Sequence, residues 1–195
     1  MNLKAFISLF AIGYLSFGKI GAQETVIKTN LLYDVTANAN IAVETRIAPL
    51  WTAELSGNLN LWKFSGGKQW RNYVLQPEIR RWFCRPFAGH FFGAHLLGGQ
   101  YNIGHINMDF KMLGTDFGKL KNSRYQGWFV GAGIAYGYDW VLNRRWNMEA
   151  EIGFGWTYTR YDRFNCAGCG QKVESGKKHN YIGPTKAAVN LIYVF

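Results

Sequence analysis

Eight stretches of this 195-residue chain alternate apolar and polar residues with a period of two, and no other feature narrows the possible folds as far. Successive side chains of a β-strand point to opposite faces, so each stretch reads as a strand with one apolar and one polar face. The stretches cover 25–33, 41–48, 50–62, 70–83, 90–102, 125–140, 146–160 and 181–195. In the seventh, Trp146, Met148, Ala150, Ile152, Phe154, Trp156 and Tyr158 oppose Asn147, Glu149, Glu151, Gly153, Gly155, Thr157 and Thr159. In the sixth, Trp128, Val130, Ile134, Tyr136 and Trp140 oppose Gly131, Gly133, Ala135, Gly137 and Asp139, small residues that leave room for large neighbours. The last stretch places Ala187, Val189, Leu191, Tyr193 and the terminal Phe195 on one face.

The connections sort into two alternating sets. Those at 48–50, 84–89 and 141–145 are short and carry Pro49, Pro86 or Asn143. Those at 34–40, 63–69, 103–124 and 161–180 are mostly longer and richer in Gly, Lys and Asn. An even number of strands, with loop length segregated by side, predicts an all-β fold: an eight-stranded antiparallel transmembrane β-barrel with short periplasmic turns and longer outer loops. The apolar faces then point outward to lipid, whereas a soluble barrel would turn them inward. The 48% hydrophobic content with a mean hydropathy of −0.14 suits this arrangement, because only alternate residues meet lipid. Trp51, Trp62, Trp70, Trp82, Tyr125, Trp140, Trp146 and Tyr158 lie near strand ends and are assigned to interfacial aromatic girdles.

Lys4, the apolar run 5–17 and the small pair Gly21–Ala22 have the layout of a secretory signal peptide. The expected organisation is a signal peptide over 1–22 and one outer-membrane barrel domain over 23–195. No later stretch is apolar for the 18 or so residues of a helical span. A last strand ending on an aromatic residue resembles the closing strand of bacterial outer-membrane barrels. Phe195 is accordingly assigned as the assembly signal read by the barrel assembly machinery. The expected location is the outer membrane of a Gram-negative cell, reached by export through the inner membrane.

Removing Lys4 and Lys19 from the 22 basic side chains leaves 20 against 12 acidic ones, a net charge of +8. The excess falls on the proposed outer side. Lys63, Lys68, Lys119, Lys121, Arg124, Lys172, Lys177 and Lys178 are assigned as an anion-binding set, with Arg71, Arg160 and Arg163 in the same regions. Such clusters attract the phosphates of outer-membrane lipid and lipopolysaccharide, or a surface partner. Nucleic acid is excluded as a partner, since the basic residues share no recognition motif and the chain is exported. The inward faces supply Lys28, Glu44, Arg46, Glu54, Glu78, Arg80, Asp139, Glu149, Glu151 and Lys186. Eight strands leave an interior only wide enough for side chains, so these are read as a paired polar plug rather than the wall of a pore.

Cys166 and Cys169 form a Cys-x-x-Cys in the last outer loop, read as a small disulfide in an oxidising compartment rather than a zinc site. Cys84, at the opposite end, is unpaired with them. The available histidines are His90 and His95 towards the inner half and His105 and His179 in the outer loops; Ser123 and Asp109 could join His105, but the spacing follows no hydrolase pattern. The expectation is a protein that is not an enzyme and uses no cofactor.

The blocks 29–34 (TNLLYD), 54–62 (ELSGNLNLW), 76–83 (QPEIRRWF), 136–142 (YGYDWVL), the Cys166–Cys169 pair and 183–195 (GPTKAAVNLIYVF) resemble the domain-of-unknown-function family 3575. The resemblance implies an exported β-barrel of Bacteroidota-type outer membranes without an assigned reaction. Proximity of such family members to surface-fibre genes implies a structural, adhesive or fimbria-associated role, with a surface-fibre or periplasmic protein as partner. A lipid-modifying enzyme or a narrow channel is the alternative.

Overall fold

The computed structural model describes residues 25–63, 69–104, 111–112, 115–116, 123–165 and 171–195. Its elements are β1 (Thr25–Asn30), α1 (Leu31–Val35), β2 (Ala39–Ala48), β3 (Trp51–Lys63), β4 (Gln69–Trp82), β5 (Gly89–Gly104), β6 (Lys111–Met112), β7 (Thr115–Asp116), β8 (Arg124–Val141), β9 (Trp146–Phe164) and β10 (Lys172–Val194). Among the described residues, eight strands close into an antiparallel barrel in the order β1-β10-β9-β8-β5-β4-β3-β2, and β6 and β7 form a separate two-stranded ribbon. The all-β barrel expected from the alternation is the fold observed.

Residues 49–50, 83–88 and 142–145 connect strands at one end, the turn end. Both barrel termini meet there, where the Phe195 amide donates to the Thr25 carbonyl. The other four connections between barrel strands, the longest of them 105–123, lie at the opposite, loop end.

Two boundaries differ from the alternation. The chain leaves the sheet at Asn30 instead of continuing to Tyr33. The Asn30 side chain accepts from the Leu32 amide and so caps α1. The same side chain accepts from the Val189 amide and donates to the Ala187 carbonyl, standing where strand backbone would otherwise pair with β10. At the other boundary, β9 and β10 run on to Phe164 and Lys172, so most of the stretch 161–180 is paired strand rather than loop. Register shifts between Lys172 and Glu174 and between Glu174 and Lys177 break the period of two there. That interruption is why the sequence alone suggests a loop.

The interior is layered. Val26, Trp82, Phe87, Phe91 and Ile192 form an apolar floor at the turn end, with the Trp82 indole donating to Thr52 Oγ1 at 2.9 Å. A layer of charged side chains lies above it. Tyr101 against Phe129, and Tyr125 against Tyr161, fill the loop end. Three residues assigned to the girdles therefore face inward: Trp70, Trp82 and Tyr125. Trp70 and Trp82 share strand parity with Glu78 and Arg80, so the pleat that buries the charges buries them too. Trp62 has inward parity as well, but it lies at the rim and its indole donates to the Ala37 carbonyl.

Small residues of β5, β8 and β9 make this layering possible. A Cβ at Gly137 would lie 2.3 Å from the Phe91 ring, and one at Gly93 would lie 2.6 Å from the Glu78 carboxylate. At Gly155 the obstacle is backbone, 2.2 Å away at the Ala132 carbonyl. Gly155→Ala is expected to push β8 and β9 apart at a cost of about 1–3 kcal/mol. Gly57→Ala meets nothing nearer than 3.9 Å and is expected to be nearly neutral. Urea unfolding followed by tryptophan fluorescence in detergent checks both, and equal midpoints for the two variants would contradict this account of the wall.

Candidate functional site

The charged interior is built by parity. Residues two apart on each strand point inward together, which brings Lys28 from β1, Glu44 from β2, Glu54 from β3, Glu78 and Arg80 from β4, Glu149 and Glu151 from β9 and Lys186 from β10 into one buried layer. Arg80 is its hub. Its Nε contacts Glu78 at 2.6 Å, Nη1 contacts Glu44 and Glu149 at 2.8 Å each, and Nη2 contacts Glu54 at 2.8 Å and Glu151 at 2.7 Å. Lys28 pairs with Glu44, with Glu54 at 3.0 Å and with Glu149 at 2.8 Å. Lys186 reaches Glu54, Glu78 and Glu151 at 3.0, 2.8 and 3.0 Å. Three cations thus serve five glutamates, and the planar five-donor guanidinium is the group suited to the centre. The Arg80 guanidinium also lies 4.5 Å over the Phe91 ring, joining this layer to the floor.

Two members of the expected set sit apart from that hub. Asp139 is buried opposite Glu149, and neither of its oxygens is hydrogen-bonded among the described residues. Arg46 has inward parity opposite Thr52, which in turn pairs with Arg80 across β3 and β4, and is half-buried. The inward set expected from the sequence lacked His95, which belongs to the interior: Nε2 lies 2.9 Å from Thr185 Oγ1 and Nδ1 lies 3.6 Å from Glu78. Its parity with Phe91 and Leu97 was the available signal.

The exterior is ordered by register. One row runs Ala53, Ile79, Ala94, Ile134, Phe154 and Pro184 across six strands. Two rows nearer the loop end comes Gly57, Leu75, Gly98, Val130 and Tyr158. The next, Leu59, Tyr73, Gln100, Trp128 and Arg160, is the first with a charge at this end, and it is followed by Leu61, Arg71, Asn102, Gln126 and Asp162. An open trough of about 780 Å³ is lined mostly by residues of these two rows, with Lys172, Ser175 and Gly176 at its β10 edge. Asp162 accepts from Lys172 Nζ at 2.6 Å and from the Gly176 amide at 2.7 Å. These two hydrogen bonds, the lysine's foremost, hold its carboxyl below the usual aspartate range.

The basic residues assigned to outer loops divide accordingly. Lys172, Lys177 and Lys178 stand on β10 rather than in a loop, with Lys177 4.0 Å from Glu174 and Lys178 opposite Arg160. Arg124 begins β8 with its guanidinium 4.1 Å over the Phe164 ring. The Lys63 side chain and the whole of Lys68, Lys119, Lys121, Cys166, Cys169, His105 and Asp109 lie outside the described residues. Cys84 is an exposed free thiol at the turn end. Phe195 is exposed and packs edge-on against Tyr193 at 5.3 Å.

The architecture defines a class: among the described residues, an eight-stranded antiparallel barrel of inverted polarity, with apolar side chains outside and a buried layer of charges within. Within that class the chain belongs to the family DUF3575, a family of proteins of unknown function, whose model matches residues 6–195. No curated protein matches it significantly.

Proposed function

We propose that this protein is an outer-membrane barrel that serves as a structural or adhesive anchor at the cell surface, sealed by its ionic interior and meeting phosphorylated lipid or a surface partner at its loop end. The observation that carries the reading is the exterior of β8. From Trp128 to Trp140 each outward residue is apolar or aromatic, and Gln126 and Arg124 follow beyond Trp128. Twelve residues of strand extend about 40 Å, or roughly 30 Å along the axis of a barrel with strands tilted near 40°, which matches a hydrocarbon core bounded by aromatic girdles. Ile134 and Ile182 are 72% and 74% exposed, and a soluble monomer rarely presents an apolar surface this continuous. Among the described residues no helix is long and apolar enough to cross a membrane, so strands would have to do it.

An anchor needs a closed interior, and the bridging of five glutamates by Arg80, Lys28 and Lys186 supports one. Planar-bilayer recordings on the refolded protein are expected to show no stable unitary conductance. Reproducible ion-selective openings would replace the anchor by the channel reading. Fibre attachment, suggested by the family resemblance, is checked by comparing surface-fibre retention in cells with and without the gene.

A further inference from the structure

We propose that the loop-end trough and the notch at Gly98 hold one molecule of a phosphorylated glycolipid of the outer leaflet, its headgroup in the trough and the start of an acyl chain in the notch. This deepens the membrane reading and rests on it. The trough starts in the row directly beyond Gly57, Leu75, Gly98 and Val130, so it lies where headgroups would meet the edge of the apolar belt. Its wall carries Arg71 and Arg160, which have no ion-pair partner among the described residues, while its one carboxylate, Asp162, is already engaged by Lys172 and the Gly176 amide. The net field of the wall is positive. Guanidinium groups grip phosphate through paired N–H donors, and the neighbouring amides of Gln100, Asn102 and Gln126 match the hydroxyls and carbonyls of an acylated sugar.

The notch is a separate observation. On β5, Gly98 stands two residues below the trough-lining Gln100 on the same face, in the row that borders the trough. A Cβ there would meet only ordinary contacts at 3.8 Å, unlike Gly99, where it would strike the Tyr73 carbonyl at 2.1 Å. The wall requires glycine at 99 and does not require it at 98. What the absent side chain at 98 leaves is a bare stretch of backbone between Leu75 and Val130, against which a methylene chain can lie.

The test uses the refolded barrel in phosphatidylcholine nanodiscs, with folding and insertion scored first by heat-modifiable mobility and protease protection. Native mass spectrometry then follows titration with bis-phosphorylated lipid A, dephosphorylated lipid A and phosphatidylglycerol. One bound bis-phosphorylated lipid A is expected, at least tenfold tighter than either comparison lipid. The double variant Arg71→Ala/Arg160→Ala is expected to lose that tenfold preference. Gly98→Phe is expected to weaken the phosphorylated and dephosphorylated glycolipids alike while leaving insertion unchanged. Equal binding of all three lipids, or unaltered binding by both inserted variants, would overturn the site and leave the barrel standing. Failure of the unaltered protein to insert would remove the membrane reading itself.

Discussion

Arg80→Met is expected to prevent the barrel from reaching its folded form. The substitution keeps an unbranched side chain of similar length but withdraws the guanidinium that contacts Glu44, Glu54, Glu78, Glu149 and Glu151 inside the wall. Breaking a single buried pair costs about 3–5 kcal/mol because the abandoned charge stays out of water. Several such losses together exceed the whole stability of a typical domain, about 5–15 kcal/mol. Lys28 and Lys186 remain, yet each reaches only part of the glutamate set, and Glu149 and Glu151 are met by different lysines. Heat-modifiable mobility after refolding into detergent reads the outcome. Combining Arg80→Met with Glu149→Gln and Glu151→Gln should restore part of the folded band, since it removes two of the stranded charges. A single variant that folds like the parent would mean the layer is not electrostatically coupled.

The second large effect is expected on the opposite face. Ile134→Arg places a charge in the middle of the exterior belt, in the row with Ile79 and Phe154. In hydrocarbon this costs about 2–4 kcal/mol at the midplane and roughly 0–1 near the interface. Gln126→Arg, four rows nearer the loop end on the same strand face, is therefore expected to be almost neutral. The comparison between the two positions carries the information, because water around the exterior would make both substitutions harmless. Reversible urea unfolding in phosphatidylcholine vesicles measures the difference. Equal stability of the two variants would remove the support for a hydrocarbon-facing belt.

Much of this molecule was legible before its structure. The period of two placed Glu54, Glu78, Arg80 and Glu149 on one side of their strands and Ile134, Ile152 and Phe154 on the other, and pleating makes that division nearly obligatory. The same rule, applied strictly, places Trp82 beside Arg80; proximity to a strand end suggested a girdle instead, and the indole packs in the floor. The loop-end trough was less accessible. Arg71, Asn102, Gln126 and Asp162 are spread over four strands and share a row only through the register, which depends on pairings between residues far apart in the chain. Lys172 was legible as a cation, though not as a strand residue bonded to Asp162, because bulges in β10 hide the alternation.

The sequence by itself determined the number of barrel strands, their two-sidedness, the grouping of short and long connections and the identity of the inward charges, since each follows from local period and turn chemistry. Tertiary structure alone decided which charges meet at Arg80, where β1 gives way to α1, and which strand ends together make a trough. Those outcomes depend on ring closure and on the stagger between strands, and neither is encoded in any single segment.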